Sequence, residues 1–144
     1  MSSGADPAIL FPLLFLVGLT ALVWLWMYVT RVREIRSRRL RIQDLASARA
    51  VNEALSEVAG PSDNLINLFE IPVLFYVLVT LLYVTAAADT GYLVGAWAFV
   101  VLRALHSLIH TSYNRVMHRF PVYVLSTLVL WGMWARFAWY LLSH

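Results

Sequence analysis

Residues 92–110 read YLVGAWAFVVLRALHSLIH, an apolar run long enough to cross a membrane that nevertheless carries Arg103, His106 and His110. A hydrocarbon core takes about 20 residues of helix, and three further stretches meet that length: residues 8–30, 65–88 and 122–142. The composition agrees, since 61% hydrophobic and 13% charged residues lie outside the balance of soluble globular proteins. These observations predict an all-α integral membrane protein, a four-helix bundle forming one domain over residues 1–144, with the lipid bilayer as its first partner. The first span is like a secretory signal only in its apolarity. It lacks a basic leading segment, is long, and runs into arginines, so it reads as retained.

All eleven basic residues are arginine. Arg31, Arg33, Arg36, Arg38, Arg39, Arg41 and Arg49 fall in the 31–64 connection, whereas the turn at Ala88-Asp89-Thr90-Gly91 has no basic residue. The positive-inside rule puts the 31–64 loop in the cytoplasm, and Arg115 and Arg119, after the third span, fall on the same side. Both termini are then outside, with Trp131, Trp134, Trp139 and Tyr140 as interface anchors. Ile35, Leu40, Ile42 and Leu45, interspersed among the loop charges, suggest a cytosolic extension of the first helix and then a second helical piece. Gly60-Pro61-Ser62-Asp63 is expected to break the chain, with Ser62 or Asp63 capping the helix that follows. Inside the second span, Pro72 removes the bond to the Leu68 carbonyl and predicts a kink one short step from Glu70.

At about 100° per residue, Arg103, His106, His110 and Asn114 fall within about 80° of arc, so one stripe of the third span is polar. Asn64, Asn67 and Glu70 form a similar stripe on the second. With a rise of about 1.5 Å per residue, Glu70 lies about 8 Å and Arg103 roughly 10–14 Å inside the cytoplasmic ends of their spans, which predicts an Arg103–Glu70 contact. Ionisable groups in a membrane are costly and mark functional sites by default. The bland alternative is a polar staple between helices, of modest strength. One carboxylate is too few for the donors of Asn67, Arg103, His106, His110, Asn114, Arg115 and Arg119. Their surplus points to an anionic, polar molecule entering from the cytosol, with its reaction partner a lipophilic small molecule from the bilayer. For the Arg31–Arg41 run, topology and contact with anionic headgroups suffice.

With no cysteine, the chain has no disulfide, thiolate metal site or thiol nucleophile of its own. His106 and His110 stand at the i, i+4 spacing of paired zinc ligands. The residues between them, Ser107, Leu108 and Ile109, include no acid, and only Glu70 offers a third ligand, so no metal site is expected. His118 and His144 read as exposed. No glycine-rich phosphate loop, serine elbow or nucleic-acid motif is present, and the net charge of +3 sits in the loops, where it reads as topology.

The elements Asn67-Leu68-Phe69-Glu70-Ile71-Pro72, Arg103-x2-His106-x3-His110 and Asn114-Arg115-x3-Arg119-Phe120-Pro121 resemble the MAPEG family, the membrane-associated proteins of eicosanoid and glutathione metabolism. The resemblance runs from about Asn64 to the end of the chain. It implies a homotrimer of four-helix protomers with glutathione bound between neighbouring subunits near the cytoplasmic face. By position, Asn67 and Glu70 would hold the polar part of glutathione, Arg103 and His106 would contact it or orient Glu70, and Asn114 and Arg115 would border it. Arg119 matches the arginine thought to stabilise the thiolate, and Arg38 is a candidate for the arginine supplied from the end of the first helix.

Three positions depart from the pattern. His110 stands where the better-known enzymes have tyrosine, Phe120 replaces a serine proposed to assist thiol chemistry, and Ile66 sits where a basic residue often precedes the asparagine. The sequence looks closer to bacterial relatives, which implies a multi-pass protein of the bacterial inner membrane. The chemistry implied is modest: a thiol with a free pKa near ~8.5 must be deprotonated and aimed at an electrophile dissolved in lipid. Arg119 would favour the anion, with His110 as hydrogen-bond donor or base. The alternatives are a non-catalytic membrane subunit and a carrier of an amphiphilic anion.

Overall fold

In a computed structural model, residues 6–143 are described, and every regular element among them is helical. The expectation for His144 lies outside the described residues. Helix α1 (Leu10–Ser37) follows a short turn of tighter helix capped by Asp6 and runs seven residues past the first apolar stretch, carrying the arginines out of it. After a loop come α2 (Ala48–Ala54), capped by the Ser47 hydroxyl, then α3 (Gly60–Leu68), α4 (Ile71–Val84), α5 (Thr90–Thr111) and α6 (Val116–Ser143). Four stretches are long and apolar enough to cross a membrane: Pro7–Ser37, Gly60–Val84, Thr90–Thr111 and Val116–Ser143. The fourth begins earlier than residue 122, because Pro121 is accommodated within α6, and Arg119 is therefore helical.

Two local expectations need correction. Gly60-Pro61 starts a helix where a break is expected: proline suits a first turn, whose amides lack intrahelical partners anyway. Asp63 consequently lies within the first turn of α3, no side chain caps it, and the Ser62 hydroxyl accepts a hydrogen bond from Arg31 at 2.7 Å. A Cβ on Gly60 would sit 3.1 Å from the His110 carbonyl oxygen, so glycine lets α3 close on the end of α5. Around Pro72 the second span breaks completely instead of kinking. Its α3 ends at Leu68, Glu70 has φ −94° and ψ −103°, and Pro72 opens the first turn of α4.

Helix α5 is central, packing along α6 and α1 and touching α3. The core is one apolar cluster, with Leu16 and Val23 of α1, Phe75, Leu78 and Leu82 of α4, Phe99 of α5, and Leu130 and Phe137 of α6; Phe75 and Phe99 stack at 4.6 Å. Large apolar side chains also cover the outside, among them Phe15, Leu22, Leu128 and Trp139. Such a surface suits lipid contact and is foreign to a protein in water. The end bearing the 38–59 loop and the α5–α6 turn is called here the arginine-rich end.

Candidate functional site

The polar stripe of α5 faces inward. Arg103, His106, Ser107 and His110 are all buried, and Arg103 is fully enclosed. From α3, Asn64 and Asn67 meet this stripe one turn apart. Asn64 Oδ1 accepts from the buried Ser107 hydroxyl at 3.3 Å, and Asn67 Nδ2 lies 3.5 Å from His110 Nδ1. An amide nitrogen only donates, so His110 Nδ1 accepts and the neutral ring carries its proton on Nε2. His106 Nδ1 lies 3.2 Å from the Arg119 carbonyl oxygen, which can only accept; its proton is therefore on Nδ1, leaving Nε2 a bare acceptor. The two rings pack edge to face at 5.5 Å.

The expected Arg103–Glu70 pair does not form. The break at Phe69–Glu70 ends the helical register, so the stripe that includes Asn64 and Asn67 does not extend to Glu70, which is exposed. Arg103 instead lies over aromatic rings, 4.6 Å from the Tyr123 centroid and 5.4 Å from that of Phe99. Contacts of this kind contribute about 0.5–2 kcal/mol but provide no acceptors. None of the three guanidinium nitrogens has a hydrogen-bond partner, and neither do His106 Nε2, His110 Nε2 or Asn64 Nδ2. The Tyr123 phenol is the nearest polar group to the guanidinium, and the Glu70 carboxylate acts on it only from a distance. Enclosing a charge without an acceptor costs several kcal/mol.

Other expected site residues take different places. Asn114 does not continue the α5 stripe, because the helix has ended at Thr111. It adopts a left-handed conformation (φ 47°) that asparagine tolerates, and its amide closes the turn on the Ile109 carbonyl. Its side-chain oxygen accepts from Arg119 at 2.5 Å, so it orients the arginine. Arg38 is engaged by Glu34, by Glu57 at 2.9 Å and by the Ala54 carbonyl, all on α1 and the loop. Arg115 is exposed in the turn, and His118 is exposed beside the Tyr113 hydroxyl. Thus Asn67, Arg103, His106 and His110 come together, Arg119 joins them through its backbone, and Glu70, Arg38 and Arg115 stand outside. Sequence reasoning missed Tyr123, which contacts both Arg103 and His106, with its ring 5.6 Å from the imidazole. Its signal was positional: it follows Arg119 by one helical turn.

The family model for MAPEG proteins covers residues 9–139, nearly the whole chain. The chain belongs to the MAPEG family. It has no significant match among curated proteins or among solved structures. MAPEG membership and the four apolar spans make this an integral membrane protein, and the family includes glutathione transferases and peroxidases as well as non-catalytic members. Among the described residues, no three histidine or acidic side chains converge as metal ligands.

Proposed function

We propose that this MAPEG protein is a membrane-embedded, glutathione-dependent transferase or peroxidase for a lipophilic electrophile, working as a homotrimer with its arginine-rich end in the cytoplasm. The observation that supports this most is Arg103: a buried guanidinium with three unpartnered nitrogens is a receptor for an anion that the chain itself does not supply. The orphan groups fit glutathione in kind, since Arg103 suits a carboxylate, His110 Nε2 donates, and His106 Nε2 accepts from an amine or amide. When bound, glutathione supplies a thiol sulfur that serves as nucleophile or reductant. Arg119, held by Asn114, favours the thiolate by its charge, and His110 Nε2 donates a hydrogen bond to the sulfur. Glu70 is exposed beside the helix break, and in this reading it meets a ligand shared with a neighbouring protomer.

The complete enclosure of Arg103 within one protomer favours a second reading, a non-catalytic member that keeps the fold without glutathione chemistry. Turnover separates the two. Purified protein in lipid nanodiscs, given glutathione and an aryl halide or a lipid hydroperoxide, is expected to consume the electrophile faster than protein-free nanodiscs do. A rate equal to the protein-free background for both electrophiles contradicts the catalytic reading and leaves the non-catalytic one.

A further inference from the structure

Two rings lie against the enclosed guanidinium of Arg103, and they differ in position. Phe99 is fully buried in the core, at 5.4 Å, whereas Tyr123 is nearer, at 4.6 Å, and only half-buried. Tyr123 also packs on His106, with ring centroids 5.6 Å apart. One side chain that reaches the surface therefore covers two groups whose buried nitrogens have no partner, the Arg103 guanidinium and His106 Nε2.

The backbone beneath Tyr123 is held and its side chain is not. The Tyr123 carbonyl accepts from the Ser126 hydroxyl at 2.7 Å and from the Thr127 hydroxyl at 2.9 Å. Among the described residues, its phenol oxygen meets no polar group other than the guanidinium it covers. A change of rotamer at Tyr123, which needs no movement of the helix, lifts the ring away. A ring face and one phenol oxygen are also a poor complement to a guanidinium, which a carboxylate meets with two charge-assisted hydrogen bonds. An arriving carboxylate therefore displaces the ring, and the ring returns when the anion leaves.

A graded approach leads to this point. Arg115 is exposed in the α5–α6 turn, Arg119 is half-buried in the first turn of α6, and Tyr123 follows one turn later on the same face. Each of these steps is about 6 Å deeper along the helix. Positive charge is thus offered at increasing burial, from Arg115 to Arg119 to Arg103, with Tyr123 at the last step.

We propose that Tyr123 is the gate of the anion site: its ring covers Arg103 in the empty protein, and an anionic ligand enters by turning it aside. This deepens the proposed function by naming what regulates entry to that site, and it rests on that reading only for the identity of the anion.

The test is arginine modification by phenylglyoxal on the purified full-length protein in lipid nanodiscs, with adducts located and timed by peptide mass spectrometry. It requires neither glutathione nor turnover. In the parent, Arg103 is expected to react at least about tenfold more slowly than the exposed Arg115, and Tyr123→Ala should bring it within about threefold of Arg115. Arg136, paired with Asp89, reports general loosening and should keep its rate in the variant. An Arg103 rate unchanged by Tyr123→Ala overturns the gate, and so does a parent Arg103 as reactive as Arg115 or an equal acceleration at Arg136. Glutathione should bind Tyr123→Ala about threefold more tightly or better, because a ligand confined to the open state loses affinity in proportion to the fraction that is closed. Weaker binding to the variant overturns the gate and makes Tyr123 a ligand contact. Faster labelling of Arg103 in a protein that binds no glutathione supports the gate and defeats glutathione as its ligand. Should Tyr123→Ala fail to fold, Tyr123→Leu keeps apolar bulk without the flat cover. Labelling of Arg103 at least about threefold faster than in the parent then supports the gate, and an equal rate overturns it.

Discussion

Arg103 and Arg136 both interrupt membrane-spanning helices, both lie over a tyrosine ring, and they have opposite fates. Arg136 sits over Tyr92 at 4.2 Å and grips Asp89 with two nitrogens, at 3.0 and 2.5 Å; the same carboxylate caps α5 through the Tyr92 amide. Every partner it needs is in the chain. Arg103 has the rings and the Tyr123 phenol beside it, but no carboxylate pairs with it and none of its three nitrogens makes a well-formed hydrogen bond. The difference separates an arginine that fastens α5 to α6 from one whose complement, in the function proposed above, comes from outside. Side-chain exposure reverses the intuitive ranking, since Arg136 is half exposed and satisfied while Arg103 is enclosed and unsatisfied.

The largest effect expected from breaking this comparison is in binding. Arg103→Met should lower glutathione affinity at least about a hundredfold, near 2.7 kcal/mol, without lowering the melting temperature of the ligand-free protein, because an unpaired buried charge is removed. Equilibrium dialysis and differential scanning calorimetry read the two halves. Next, Arg119→Ala should slow conjugation about tenfold or more, near 1.4 kcal/mol, with affinity changed less than about twofold, read as kcat against Kd. At the opposite end the effects are on stability alone. Asp89→Ala removes both the cap and the ion pair and should cost about 1–2 kcal/mol, whereas Asp89→Asn keeps the cap and should cost about 0.5–1 kcal/mol for a half-exposed pair. Neither should alter glutathione affinity.

The smallest expected effect is in pH dependence. Hydrogen bonds from Arg136 hold the Asp89 carboxyl below its ordinary value, and the Tyr92 amide adds to them. A carboxylate lowered in the folded state stabilises it fully above the unfolded value of 3.8, and that contribution is lost as pH falls through the lower folded value. Thermal melts of the parent should therefore lose stability relative to Asp89→Asn only below about pH 4. A difference that instead appears near neutral pH would assign the effect to another group.

Only the Arg103 side of this contrast was legible in the sequence. The α5 stripe of Arg103, His106 and His110 follows from helical spacing alone and survives in the structure, because nothing interrupts α5. The second stripe failed at Glu70 because angular bookkeeping assumes one continuous helix, and the Pro72 break cuts the register just before it matters. Asn114 failed for the same reason: the helix ends three residues earlier, and asparagine there serves the turn. The Arg136–Asp89 clamp went unread because it joins residues distant in sequence, and neither periodicity nor local composition couples a turn to the far end of another helix. Tyr123 was equally hidden, since one aromatic residue in an apolar span reads as packing until the arginine beneath it is seen.

The central claim is that Arg103 is stored without a partner so that a ligand can complete it, and thermal stabilisation by glutathione tests it most directly. With saturating glutathione, the parent and Arg136→Met proteins should each melt at a higher temperature than without it, as binding to the folded state alone requires. Arg103→Met should show no such rise while its ligand-free melting temperature equals or exceeds that of the parent. An undiminished rise in Arg103→Met, or a ligand-free loss as large as that of Arg136→Met, would contradict the account.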